Sequence, residues 1–311
     1  MASRFRLGQL IKGKANTYTI TKPLHECIWL ATSSQNEQPV IIKSVRHFRL
    51  QNKRDILQRF QSRTSALRPL IDEIQDQSVP PAIVLKYLDD DLMRASAAKR
   101  LTTLEIKQVA KRVLEALNVL HEDGFVHTDI KIDNVLVNYG KGASRFTDVE
   151  LADCGNTVHI SSPFANDCDV IGAPVWRSPE AQLQISWGTP TDIWSLRTLL
   201  ITLIYGDSWF IFRPDVPADH EAYDLKILMR HHQFFGPFPL SYQDIADDEA
   251  IRIIMYVMRS VPPEKMRPFA SAAESEIAKE DKVFILRIMR LDPRDRPTAG
   301  ELLGDEWFKQ V

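Results

Sequence analysis

Two carboxylates, two lysines and an asparagine in this 311-residue chain have the order and spacing that phosphoryl transfer requires. His127-Thr-Asp-Ile-Lys-Ile-Asp-Asn134 sets Asp129 and Asn134 five apart, with Lys131 between them. Such a loop offers a carboxylate to orient an attacking hydroxyl, an ammonium to neutralise the transferred phosphoryl, and an oxygen ligand for Mg²⁺. Nineteen residues after Asn134, Leu-Ala-Asp153-Cys-Gly155 supplies a second candidate metal ligand at a glycine-bearing turn. Upstream, Lys43 ends the run Val40-Ile-Ile-Lys43, where an ammonium can reach the inner phosphates of a nucleotide. A lone lysine at a strand end is ordinarily a solvated surface residue. Here the four positions occur in the right order and separation, which favours the functional reading.

The elements that must hold these residues are legible from hydrophobic pattern. Cys27–Ala31 and Val40–Val45 are rich in β-branched and aromatic residues and read as strands, as do Leu70–Ile74 and Ile83–Leu88. Asn52–Gln61 breaks this pattern, with Ile56, Leu57 and Phe60 at helical spacing. After Asp91 the chain turns helical. Thr103–His121 is the clearest helix, started by the capping-box pair Thr102 and Glu105 and followed by Gly124. Further helices are predicted at Thr191–Ile204 and Lys282–Met289. The expected class is α+β: a strand-rich lobe over 1–88, then a larger helical lobe over 89–311, joined at the acidic Asp89-Asp90-Asp91.

The composition, 44% hydrophobic and 26% charged, is that of a globular protein. A net charge of −2 gives no electrostatic ground for a nucleic-acid or anionic-membrane partner. Three cysteines are too few for a disulfide framework and fit a reducing compartment, cytoplasm or nucleus. The start of the chain lacks the continuous apolar run of a signal peptide, and the longest apolar run, Thr198–Tyr205, is far too short to span a bilayer. A monomer is expected.

These motifs together resemble the eukaryotic protein kinases from about Tyr18 to Phe308. Arg177-Ser-Pro-Glu180 resembles the end of an activation segment. Asp192-Ile-Trp-Ser195 resembles the start of the central buried helix, whose Asp braces the catalytic loop. Leu291-Asp-Pro-Arg-Asp-Arg296 resembles the late segment whose Arg pairs with the residue matched by Glu180. Thr128 in place of the usual Arg and Ala-Asp-Cys-Gly-Asn156 are similar to the SR-protein kinases, and Phe234-Phe-Gly-Pro-Phe-Pro239 resembles a segment of the wider group containing cyclin-dependent, MAP and SR-protein kinases. The resemblance implies a bilobal fold and a serine/threonine kinase using ATP and Mg²⁺ on a protein substrate, arginine/serine-rich by analogy. It assigns Asp129 and Lys131 to catalysis, Asn134 and Asp153 to Mg²⁺, and Lys43 to the inner phosphates. Leu85 would be the gatekeeper, Lys86 to Leu88 the hinge that reads adenine, Ile28, Ile41 and Leu136 the walls around the ring, and Asp91 the ribose contact. The missing Arg at Thr128 implies an activity that does not wait for a phosphate on the activation segment.

The amino-terminal part departs from the pattern. No glycine occurs between Lys14 and Asp123, and the positions of the usual glycine-rich loop fall on Thr21, Pro23 and Glu26. The helix that should offer Lys43 a glutamate has Lys53 there instead, and Lys53 is expected to swing out to water, away from Lys43. Cys154 is expected to be a small buried hydrophobe. The adjacent His231 and His232 are read as surface residues, since zinc sites want wider spacing. Arg197 stands where a glycine is usual, without a physical reason in the sequence. These departures support a second reading, a pseudokinase acting as a binding or scaffold protein. A third, a small-molecule kinase sharing the Asp-x-x-x-x-Asn loop, lacks counterparts to Glu180 and Arg296.

Overall fold

The computed structural model describes residues 5–75, 80–206 and 208–309. Two compact units divide them: one runs up to Asp90 and includes Leu136–Thr157, and the other holds Asp91–Val135 and the residues from Val158 on. In chain order the first unit opens with β1 (Leu10–Lys12), β2 (Thr17–His25), β3 (Ile28–Ser33), β4 (Pro39–Ser44), α1 (Phe48–Phe60), β5 (Leu70–Glu73) and β6 (Ala82–Lys86). Then come β7 (Asp90–Asp91), α2 (Leu92–Ala98), α3 (Thr103–Glu122) and β8 (Phe125–Val126). The paired strands β9 (Val135–Tyr139) and β10 (Phe146–Leu151) follow. The rest is β11 (Val158–His159), α4 (Pro163–Asn166), α5 (Pro179–Gln182), α6 (Pro190–Tyr205), α7 (Tyr223–Phe235), α8 (Asp248–Ser260), α9 (Lys279–Ile288) and α10 (Ala299–Leu303). The sequence reading kept 89–311 together. Residues 136–157 instead pack with the first unit, because β10 and the turn after it carry acids that pair with Lys86, Lys43 and Lys53.

The first unit is an antiparallel sheet in the order β1-β2-β3-β4-β6-β5. Strand alternation sorts its residues onto two faces. On one face Ala31 opposes Val40, Trp29 opposes Ile42 and Ile42 opposes Val84, and these join Phe5, Ile11, Tyr18 and Ile20 in a core cluster. Each large side chain there contributes about 1.5–3 kcal/mol through burial. On the other face Lys43 lies opposite Ile28 and Ile83, while Ile41 lies opposite Leu30 and Leu85. Register alone therefore gathers Lys43, Ile28, Ile41 and Leu85 onto one surface. The β2–β3 hairpin turns at Glu26-Cys27 with two register slips, and no residue in it has a positive φ.

The second unit is helical. α3 has the expected capping box, with Glu105 N–H donating to Thr102 Oγ1 at 3.3 Å and Thr102 N–H donating to Glu105 Oε2 at 2.7 Å. Ile106, Val109, Val113, Leu117 and Leu120 are all buried. Gly124, just past its end, takes a left-handed φ of 73°, which an L side chain rarely adopts. α6 is buried on every side from Thr191 to Ile204, and Arg197 sits inside it with no solvent exposure.

Arg197 has a structural account. One guanidinium nitrogen donates to the carbonyls of Phe284 (2.9 Å) and Ile285 (2.6 Å), and the group lies 4.9 Å above the Phe284 ring. Those carbonyls lie in the later half of α9, toward the negative end of its dipole. Nε and the other terminal nitrogen have no partner, and burial pushes the guanidinium pKa well down, with nearby Arg287 adding to the effect. A buried cation with donors left over is costly, and an apolar side chain of similar length avoids that cost. Arg197→Met is expected to raise stability by about 1 kcal/mol in urea unfolding. A loss of stability would show that the two carbonyl bonds outweigh the desolvation.

His231 and His232 are buried, not on the surface. His231 is wedged between Trp194 (4.9 Å) and Phe212 (4.4 Å), and its burial keeps the ring neutral. α7 turns this face into the core, so aromatic packing decides the environment that the dipeptide alone did not reveal. Among the described residues no cluster of three or more histidine, cysteine or acidic side chains could hold a metal ion, and no helix is long and apolar enough to cross a membrane.

Candidate active site

In the second unit the loop after β8 is built around Asp192, which is 1% exposed at the start of α6. Its Oδ2 accepts the His127 N–H (2.7 Å) and lies 3.0 Å from His121 Nε2, and its Oδ1 accepts the Thr128 N–H (2.9 Å). These bonds hold Thr128 at φ 68°, unusual for a β-branched residue. Gly172 packs against the Thr128 carbonyl so closely that a Cβ there would lie 2.6 Å from the oxygen. The strained backbone sets up the next residue, Asp129. Asn134 Nδ2 donates to the Asp129 carbonyl (2.8 Å) and to its Oδ2 (2.9 Å), and Lys131 Nζ stands 3.6 Å from the same Oδ2. The structure thus brings Asp129, Lys131 and Asn134 into one constellation. Asp192→Asn would set an amide NH₂ against backbone N–H donors. It is expected to lower stability by about 1–3 kcal/mol and to speed amide exchange at His127 and Thr128. Unchanged exchange at those two amides would remove Asp192 from this role.

In the first unit Lys43 Nζ donates to Asp153 Oδ1 at 3.2 Å and approaches Oδ2 at 3.5 Å. Asp153 has a left-handed φ of 62°. The reading of Lys53 is overturned. Instead of swinging out, it is buried, and its Nζ donates to the same Asp153 Oδ1 at 3.1 Å. The reason is in α1: Leu50, Lys53, Ile56, Leu57 and Phe60 form its buried stripe, so the register fixes Lys53 inward and Asp153 gives it an anion. That spacing was readable in the sequence; the position of Asp153 was not. Burial pushes the Lys53 pKa down to about 8, with Asp153 opposing the shift and Lys43 adding to it. Burial alone would raise the Asp153 carboxyl pKa, but Lys53 and Lys43 outweigh it and hold the group well below the usual range.

Ile41 and Leu85 are buried and Ile28 half-buried on the Lys43 face, while Leu88 is buried and Leu136 half-buried. The Lys86 peptide is already engaged: its N–H donates to the Pro69 carbonyl (3.2 Å) and its carbonyl accepts from Arg68 Nε (2.8 Å). Its side chain pairs with Asp148 (3.0 Å) and Glu150 (2.5 Å), partners that sequence reasoning missed. Asp91, the residue expected to contact the ribose, accepts the Arg94 N–H at 2.9 Å through Oδ1 as the N-cap of α2. Asp89 accepts the Tyr139 N–H and Asp90 its hydroxyl. Cys154 is fully buried, as expected.

A divalent cation needs open carboxylate lone pairs, at about 2.0–2.1 Å for Mg²⁺. Asp153 Oδ1 already receives two ammonium groups, and a metal ion there would be repelled by both. With two ammonium groups on Oδ1, Asp153 as arranged does not fit a resident Mg²⁺, whereas Asn134 donates to Asp129 through Nδ2 alone and keeps its Oδ1 as the oxygen that would ligate a metal.

A model of the protein kinase domain matches residues 27–308, and the chain belongs to the protein kinase family. It is 24% identical over 230 residues to the serine/threonine-protein kinase shk1/pak1 of Schizosaccharomyces pombe, a match covering 74% of this chain and 28% of that protein. It is 29% identical over 230 residues to the serine/threonine-protein kinase PAK mbt of Drosophila melanogaster, covering 74% and 29%. With the CTD kinase subunit alpha of S. pombe it shares 26% over 321 residues, covering 95% and 50%. The chain thus spans about a quarter to a half of the length of these relatives. A crystal structure of the yeast RNA Pol II CTD kinase CTDK-1 complex contains a chain of the same fold, with a TM-score of 0.78 at 17% identity, covering 94% of this chain and 93% of that one. The fold is therefore the α+β protein kinase fold, and kinases of this family generally use ATP and Mg²⁺.

Proposed function

We propose that the chain transfers the γ-phosphoryl group of ATP to a serine or threonine hydroxyl of a protein substrate. The observation that carries this reading is the preformed constellation of Asp129, Lys131 and Asn134, with its backbone held by Asp192. In this reading the substrate hydroxyl attacks the γ-phosphorus as Asp129 orients it and takes its proton. The bond to the β–γ bridging oxygen breaks, and ADP leaves. Lys131 neutralises charge on the transferred group, and Lys43 holds the inner phosphates. Ile28, Ile41 and Leu136 face the adenine with Leu85 behind them, and the backbone of Tyr87 and Leu88 reads its edge, since the Lys86 peptide is already bonded.

Thr128 and the Asp153-Cys-Gly-Asn156 run support a likeness to SR-protein kinases, and hence an arginine/serine-rich substrate. The internal bonds of Asp89 and Asp90 give no support to these two as substrate-steering charges. Three free cysteines fit a reducing compartment, cytoplasm or nucleus. The test is incorporation of labelled phosphate from ATP into an arginine/serine-rich peptide beside a generic basic protein. Transfer to the former with little to the latter is expected, and no transfer to any protein overturns the reading.

A second reading, a pseudokinase that binds without turnover, is favoured by one observation: Asp153 is occupied by two lysines. It predicts nucleotide binding with no transfer above that of Asp129→Asn.

A further inference from the structure

α1 buries five residues, and four of them are apolar. The fifth, Lys53, has a side chain only 4% exposed, although lysine ordinarily extends its ammonium to water. Its charge is directed at one oxygen of Asp153, which Lys43 also contacts. The immediate group therefore carries two cations and one anion, a net single positive charge. Arg68, half-buried, also acts electrostatically on Asp153 and Lys53, with Glu150 as its stronger acidic neighbour. Asp153 is the most exposed of the three, at 40% of its side chain, against 25% for Lys43. The group therefore keeps a net positive charge, and Lys43 is its solvent-accessible cation.

In a kinase site the aspartate at this position recruits a metal ion, and the metal neutralises the polyphosphate. Here a covalently attached cation already sits on that aspartate. An ammonium donates up to three hydrogen bonds, so the partly exposed Lys43 can keep Asp153 and still bind phosphate oxygens, while the buried Lys53 neutralises Asp153. We infer that Lys53 is the built-in cation of this site: it neutralises Asp153, so that the first unit binds a nucleoside triphosphate through Lys43 with no requirement for a divalent metal ion. This rests on the reading of the site as a nucleotide site, and it holds whether or not transfer follows. The missing glycines agree with it: Pro23 has no N–H, and Glu26 brings a negative charge, so side-chain cations must supply the grip that backbone amides provide elsewhere.

The test is calorimetric titration of the whole chain with ATP, in EDTA and in millimolar Mg²⁺. ATP affinity in EDTA within threefold of that in Mg²⁺ is expected; a larger loss in EDTA overturns the inference and leaves the nucleotide site standing. No heat of binding under either condition overturns both. Lys53→Met keeps the apolar stripe of α1 and removes the charge. It is expected to weaken ATP binding in EDTA by tenfold or more, and wild-type affinity in that variant would refute the role of Lys53. Lys53→Arg retains the cation and is expected to stay within threefold of wild type in EDTA. Should Lys53→Met fail to fold, this variant and the two wild-type titrations decide the matter.

Discussion

Asp129→Asn is expected to abolish most phosphate transfer while leaving the fold and ATP affinity nearly unchanged. Asparagine keeps the shape of the side chain, and its oxygen can still accept from Asn134 Nδ2, which lies 2.9 Å from Asp129 Oδ2. What it loses is the negative charge beside Lys131, at 3.6 Å, and the ability to take a proton from the substrate hydroxyl. Positioned general bases contribute about 10²–10⁴-fold, and a fall of that size in kcat at unchanged KM is expected. The melting temperature should move by no more than a degree or two, since the Asp192 bonds to His127 and Thr128 remain. If Asp129→Asn transferred phosphate as fast as wild type, the measured activity would belong to a contaminating kinase or to other residues. Equal and negligible incorporation by both proteins, with ATP bound, would favour the pseudokinase.

The contrast between Asp129 and Lys53 marks how far the sequence could be read. Asp129, Lys131 and Asn134 lie within six consecutive residues, so local spacing was enough to group them, and the structure keeps the grouping. The strand register was also legible: once β3, β4 and β6 are placed, alternation puts Ile28, Ile41, Lys43 and Leu85 on one face. Lys53 was harder because its fate depends on a residue 100 positions away. The helical stripe pointed it inward, while like-charge repulsion from Lys43 argued for water. Asp153 decides between them, and only tertiary structure supplies Asp153. Lys86 shows the same limit, since its partners Asp148 and Glu150 come from a distant strand. His231 and Arg197 were misread or unexplained for a related reason. Their roles come from an aromatic cage and two helix carbonyls, which side-chain chemistry alone does not specify.

Glu180→Gln is expected to cause the largest loss of stability of any conservative change in the second unit. Arg296 meets Glu180 in a two-pronged pair, 2.6 and 2.8 Å, and both side chains are at most 1% exposed. The guanidinium also donates to the carbonyls of Arg290 (2.8 Å), Leu291 (2.8 Å) and Pro190 (3.0 Å), and lies 5.0 Å from the Trp194 ring centroid. One side chain therefore ties the turn after α9, the start of α6 and α5 together. Glutamine keeps the volume but leaves a buried cation without its anion, and breaking a buried pair in this way costs about 3–5 kcal/mol. That is a large share of the roughly 5–15 kcal/mol by which a domain is stable, so urea unfolding should shift markedly and soluble yield should drop. Arg296→Met with Glu180→Leu removes both charges and should recover part of the loss. Recovery stays incomplete because the Arg290 and Pro190 carbonyls lose this donor, at about 1–3 kcal/mol for each one left without a partner, while the Leu291 carbonyl keeps the Tyr242 hydroxyl (2.9 Å). A double variant no more stable than Glu180→Gln would mean that the carbonyl bonds, and not the ion pair, hold this junction. A Glu180→Gln protein as stable as wild type would mean that Arg296 is neutralised in some way other than by Glu180.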